Sequence, residues 1–125
     1  NNLSALVVFH KHVENISRFY MDTDVLIHPS LFAEDLPNVI SEAMLFGIPT
    51  IGSNIAGIPS QISEGINGFL IEPEDHKALS ERMETFLDHS EILNAMSKEC
   101  LAKFNMEFAS SVAVGRYIDI IEEKK

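Results

Sequence analysis

The chain has a single cysteine, Cys100, in 125 residues. An internal disulfide and an all-cysteine metal site are therefore excluded, and a reducing cytoplasm is the simplest compartment to expect. Cys100 falls in a helical stretch, where packing is its expected role. Positive charge is scarce: 9 Lys and Arg stand against 19 Asp and Glu, a net charge of −10. That balance argues against nucleic acid and anionic lipid as partners, because both attract Lys and Arg. An anion bound here must rely on backbone dipoles or on another polypeptide. No run of about 18 apolar residues exists, so no membrane-spanning helix is expected. The opening "NNLSALVVFHKH" has neither the basic start nor the cleavage site of a signal peptide. It also lacks an initiating Met, and we read the chain as processed or cut from a longer protein.

What is present is an ordinary globular composition, 46% hydrophobic and 22% charged. The length suits one domain with a core of its own. Short apolar runs predict strands over 5–9, 24–30, 49–53 and 68–73. Helices are predicted over 15–23 and from Pro37 to Phe46, with one helical turn over 59–63. Three more follow over 74–89, 90–104 and 107–125, the second opening on Ser90 as N-cap. Strands alternating with helices predict an α/β fold: a Rossmann-like parallel sheet with helices on both faces. Residues from about 75 to 125 form helical cover. No repeat, low-complexity tract or linker interrupts residues 1–125.

The stretch "HPSLFAEDLPNVISEAMLFGIPT" (28–50) concentrates the chemistry. Ligands of parallel sheets bind beyond the C-terminal ends of the strands. Ser30 ends the second predicted strand, so residues 30–38 line that crevice. Pro37 is expected at the first helical position, where its missing N–H costs no hydrogen bond. The amides of Asn38, Val39 and Ile40 would then be free and, with the helix dipole, suit a phosphate. At about 100° per residue, Val39, Ile40, Ala43, Phe46 and Gly47 face the sheet. Ser41 falls opposite and Glu42 on the shoulder between. Glu34 precedes the helix, in the loop. Carboxylates beside a phosphate would repel it, so their targets are hydroxyls, such as a ribose or sugar diol. A plainer reading makes Glu34 and Asp35 helix caps and Glu42 a surface charge, and spacing alone leaves both open.

Other features admit several roles. His10 and His12 share one face of a strand end. With His28 they allow a metal site if a third ligand converges, a ligand contact, or ordinary surface packing. Ser30 near a His and an acid lacks any nucleophile-elbow pattern, which argues against a hydrolase. The five Met residues read as core filler.

The run "FAEDLPNVISEAMLFGIPTIGSNIAGIPSQISEGINGFLIEPED" (32–75) resembles the C-terminal, donor-binding domain of retaining glycosyltransferases with the GT-B fold, glycosyl transferases group 1, family 4. That family carries two Glu separated by seven residues, then "EAMxxGxP", a "GGxPE"-like turn and "NGxLxxPxD". Here these are Glu34 to Glu42, "EAMLFGIP" (42–49), "AGIPS" (56–60) and "NGFLIEPED" (67–75). "VVFHKHV" and "FYMDTDVLIHPS" are similar to the family's preceding strand, helix and strand.

The resemblance implies a nucleotide-diphospho-sugar binding part of a retaining glycosyltransferase. It implies a UDP- or GDP-linked donor as substrate, no tightly bound metal and no other cofactor. It makes Glu34 the catalytic-centre sugar contact and Glu42 the ribose contact. Leu36, Pro37, Asn38 and Val39 become the diphosphate cradle, beside Ser30. It lets His10, Lys11, His12 and Val13 touch the base. The acceptor would be a glycan, polysaccharide or lipid, and the parent protein cytoplasmic or peripheral at the inner membrane. A nucleotide-sugar 2-epimerase-like isomerase shares the fold, and a non-catalytic nucleotide-sugar-binding module is a further alternative.

The departures are specific. Asp35 stands where the family often has Gly, and Ala56 and Ser60 replace Gly and Glu of "GGxPE". The family's first two strands, glycine-rich loop, Arg/Lys pair and N-terminal acceptor domain have no counterpart in this sequence. The expected fold is thus the C-terminal half of GT-B, truncated on its N-terminal side. In the order 3-2-1-4-5-6 the missing strands are central. "ALVVF" must then pair with "DVLIH", or another chain must cover the sheet edges. We expect a homodimer, or a fragment inactive without its missing half.

Overall fold

The computed structural model describes residues 3–109 and 111. Most of the helix expected over 107–125 lies outside those residues. Glu107 and Phe108 belong to a short π-helical turn, Phe104–Phe108.

The chain order is α1 (Ile16–Met21), β1 (Leu26–His28), α2 (Asn38–Leu45), β2 (Thr50–Ser53), α3 (Ile58–Gln61), β3 (Gly68–Ile71), α4 (His76–Asp88) and α5 (Ser90–Lys103). The three strands are parallel and lie side by side in sequence order. Leu26 stands opposite Thr50, and Ile51 opposite Phe69. Pro29 follows β1 directly and cannot donate to a ladder, which helps to end the strand there.

Alternation along the strands divides the core in two. On one face, Leu26 and Leu70 pack with Ile40 and Met44 of α2, Ile58 of α3, Ile62 and Cys100. On the other, Ile51, Phe69 and Ile71 pack with Phe86 of α4 and Met96. Helix α5 serves both, through Cys100 and Met96. Helices therefore cover both faces, as the sequence predicts. Cys100 is fully buried, with its thiol directed at the Asn67 carbonyl, 3.3 Å away. Burial, and then the nearby Glu99 charge, pushes that thiol up to about 12, so it packs as an inert group.

Two expectations fail. "ALVVF" (5–9) is not a strand. Leu3–Ala5 make one 3-10 turn, and residues 7–13 have no regular structure. Phe9 is 93% exposed and Val8 73%. β-Branched residues favour a strand only on a pleated surface that pairs and buries them. β1 pairs with β2 alone among the described residues, so "ALVVF" has not joined "DVLIH". Ser90 is also not a cap. His89 closes α4 and opens α5, so Ser90 is already helical, and His89 makes no side-chain cap bond. The true side-chain cap is Asp75, which accepts the Ala78 amide at 2.9 Å and starts α4.

Candidate functional site

Helix α2 begins one residue later than expected. Pro37 is its N-cap, with ψ at 119°, outside the helical region. The Pro37 carbonyl accepts the Ile40 amide at 3.2 Å and Gln61 Nε2 at 3.1 Å. Ile40 is thus not one of the free amides, because the first helical turn already uses it. The amides of Asn38 and Val39 have no acceptor among the described residues. They form the helix-dipole end that can hold an anion. Leu36 and Asn38 are exposed, Val39 is half-buried and Pro37 buried.

Ser41 is not on the far side. It is half-buried, and Gln61 Nε2 donates to its hydroxyl at 2.9 Å. The reason is α3, which packs against that flank and sends Gln61 across to both Pro37 and Ser41. The C-terminus of α2 is a full Schellman closure. The Ile48 amide donates to the Ala43 carbonyl at 2.9 Å, and Gly47, at φ +69°, donates to Met44 at 3.0 Å.

Both Glu side chains are held by protein donors. Ser30 Oγ donates to Glu34 Oε1 at 2.8 Å and also reaches the Phe32 carbonyl at 3.0 Å. His28 Nε2 lies 3.2 Å from Glu34 Oε2. The Ser30 hydrogen bond, and then His28, holds the Glu34 carboxyl below the usual carboxylate range, against a partial desolvation that pushes it up. Glu34 is therefore a carboxylate at neutral pH. His28, Ser30 and Glu34 come together because β1 ends in Pro29 and the loop turns back over it. The loop is pinned from the other side as well. The Gly57 amide donates to the Glu34 carbonyl at 3.0 Å. A Cβ on Gly57 would fall on the Asp35 carbonyl, so only glycine admits this approach. Ala56 beside it sits at φ +50°, a left-handed conformation that glycine adopts without strain.

Glu42 is exposed, one turn into α2, and Tyr20 of α1 donates to its Oε2 at 2.7 Å. Burial, then this hydrogen bond and the Glu42 charge, pushes the Tyr20 phenol up, so it stays a donor. The segment expected near a base lies beside the same helix. The His10 ring meets Phe19 of α1 edge-on at 4.7 Å. Lys11 and His12 are exposed and Val13 is half-buried. No group of three His, Cys, Asp or Glu converges as a metal site among the described residues. His28 is committed to Glu34 instead. No helix among the described residues is long and apolar enough to cross a membrane.

Sequence reasoning missed Tyr20, Gly57 and Gln61 as parts of the site, and left His28 open between metal, ligand contact and surface packing without pairing it with Glu34. Gln61 had a signal, since it is a polar residue between Ile58 and Ile62. Tyr20 meets Glu42 across 22 residues, and no local pattern marks that contact.

The family model of glycosyl transferases group 1 matches residues 1–101. The chain belongs to that family. Its fold is that of the C-terminal domain of a GT-B glycosyltransferase. An uncharacterized 41.2 kDa protein from the cps region of Klebsiella pneumoniae is 32% identical, over 91% of this chain and 32% of its own length. The capsular polysaccharide biosynthesis glycosyltransferase CapM of Staphylococcus aureus is 27% identical, over 85% of this chain and 28% of its own. The chain thus spans about a third of the length of these curated relatives. Among solved structures, Anabaena HepE in complex with UDP superposes with a TM-score of 0.82 at 22% identity, over 86% of this chain and 30% of HepE. HepE has also been solved with UDP-glucose.

Proposed function

We propose that this group 1 chain is the donor-binding part of a retaining glycosyltransferase. The observation that carries the reading is the start of α2. Two free amides, on Asn38 and Val39, are flanked by carboxylates that the protein itself holds in place. The amides and the helix dipole take the diphosphate, where a chain of net charge −10 offers few cations. Leu36 and Pro37 complete the cradle. Glu34, with Ser30 behind it, faces the donor sugar, and Glu42 takes ribose hydroxyls. We assign the base contact to His10, Lys11, His12 and Val13; in support, the His10 ring rests on Phe19 of α1, and Tyr20 of the same helix holds Glu42.

In transfer, the bond between the anomeric carbon and the diphosphate breaks, the acceptor oxygen bonds on the same face, and the acceptor's hydroxyl proton passes to the departing diphosphate oxygen. The leaving diphosphate gains charge, and the aligned amides stabilise it. A relative named for capsular polysaccharide biosynthesis supports a glycan or polysaccharide acceptor, and one named as a UDP-Gal galactosyltransferase acting on a diphosphoundecaprenol-linked sugar supports a hexosyl donor and a lipid-linked acceptor. An N-terminal acceptor domain would complete the site, and without it the chain is inactive. The open edge of β1 would be covered by that missing part or by a second copy of this chain. We place the protein in the cytoplasm, peripheral to the inner membrane through its parent.

The test is calorimetry of the complete protein containing this chain, with UDP- and GDP-sugars at millimolar concentration. Binding is expected, and Glu42→Ala should weaken it by about 1–3 kcal/mol, the scale of a hydrogen bond to a charged group. Absence of binding to every nucleotide sugar would overturn the reading. Product analysis by NMR then separates transfer from 2-epimerisation.

A further inference from the structure

Glu42 has two carboxylate oxygens, and only Oε2 is taken, by the Tyr20 hydroxyl at 2.7 Å. The donor is fixed by its surroundings. Tyr20 is 7% exposed and packs with Ala43, Ile48, Val39 and Leu26. Its ring stacks on Phe46 with centroids 5.3 Å apart and planes 22° from parallel. Ala43 and Ile48 are joined by the Schellman closure of α2. The ring therefore sits on the rigid end of the helix whose side chain its hydroxyl holds. Glu42 itself is exposed, and a free Glu on an exposed helix face samples several rotamers. One fixed hydroxyl removes much of that freedom and leaves Oε1 without a protein partner among the described residues.

We infer that Tyr20 is a positioning residue for nucleotide recognition: its hydroxyl fixes Glu42 so that Oε1 is presented to the ribose hydroxyls. The inference rests on the donor-binding reading above. It says that α1, which lies outside the 32–75 run, sets the ribose selectivity of the site. Ordering Glu42 before the ligand arrives removes an entropic cost of binding.

The test compares a nucleoside diphosphate with its 2′,3′-dideoxy counterpart in the complete protein, using UDP or GDP, whichever binds more tightly. The wild-type protein should prefer the ribose form. Tyr20→Phe keeps the ring and removes the hydroxyl. It should weaken binding of the ribose form about 5- to 10-fold and leave the dideoxy form unchanged, so the preference collapses. Full retention of the ribose preference in Tyr20→Phe overturns the inference alone. Equal weakening of both ligands also overturns it, because that is the signature of a scaffold defect. A wild-type protein that binds neither ligand overturns the donor-binding reading beneath it. Phe46→Leu removes the stacked partner from a position 36% exposed and keeps the hydroxyl. It should give a smaller loss confined to the ribose form, and it decides the question if Tyr20→Phe does not fold.

Discussion

Two apolar stretches of this chain have opposite fates. Residues 34–61 are cross-tied: Gly57 to Glu34, Gln61 to Pro37 and Ser41, and Ile40, Met44, Ile51 and Ile58 in the core. Residues 6–9, "LVVF", are as apolar, yet they stand in solvent. Intrinsic preference is not the difference, since Val and Phe favour strands more than most residues do. The difference is a partner. A backbone edge and a face to bury against are available around β2, and none lies beside Leu6–Phe9 among the described residues. A strand is a property of a sheet, and a run of suitable residues supplies only half of it.

The cross-tied region should break most severely at its closest approach. Gly57→Ala drives a methyl into the Asp35 backbone, and the loop carrying Glu34 must move. A loss of about 3 kcal/mol is expected, read as a lower denaturation midpoint at unchanged slope. Gln61→Ala removes the ties to Pro37 and Ser41 at the start of α2. It should cost about 1–3 kcal/mol in the same experiment, and its donor affinity should fall with α2 order. Ala56→Gly works in the other direction. It relieves the left-handed backbone at φ +50° and should stabilise by about 1 kcal/mol. In the exposed stretch, Val8→Ser should change stability by less than about 0.5 kcal/mol. A large loss there would show that residues 6–9 are buried in solution after all.

The acid at the site sharpens the same contrast through pH. Glu34 titrates below its ordinary range because Ser30, and then His28, favours its charged form. Its contribution to stability is therefore complete above the ordinary Glu value of about 4.3, and is lost as pH falls through the lower folded value. Carboxyl NMR of Glu34 should show the low titration point, and Ser30→Ala should return it toward normal.

Much of this was legible in the sequence. Strands 26–28, 50–53 and 68–71 and the helices between them follow from apolar periodicity and from Pro and Gly punctuation, with ends shifted by a few residues. The Glu34/Glu42 frame around α2 was visible for the same reason, because loop, cap and helix face are local properties. What stayed hidden depends on distance along the chain. "ALVVF" reads as a strand until its neighbours are counted. Ser41 reads as solvent-facing until α3 lies against it. Tyr20 reads as one apolar face of a short helix until its hydroxyl meets Glu42. The Pro37 position differed by one residue, and Ile40 is not a free amide because its N–H closes a 3-10-type bond onto the Pro37 carbonyl.

The central claim is that α2 receives a nucleoside diphosphate sugar between Glu34 and Glu42. It is tested most directly by a crystal structure of the complete protein with UDP or GDP. The account predicts the phosphates on the Asn38 and Val39 amides, the ribose hydroxyls on Glu42 Oε1 and Tyr20 still on Oε2. A nucleotide bound elsewhere, or a ribose that leaves Glu42 untouched, would contradict it.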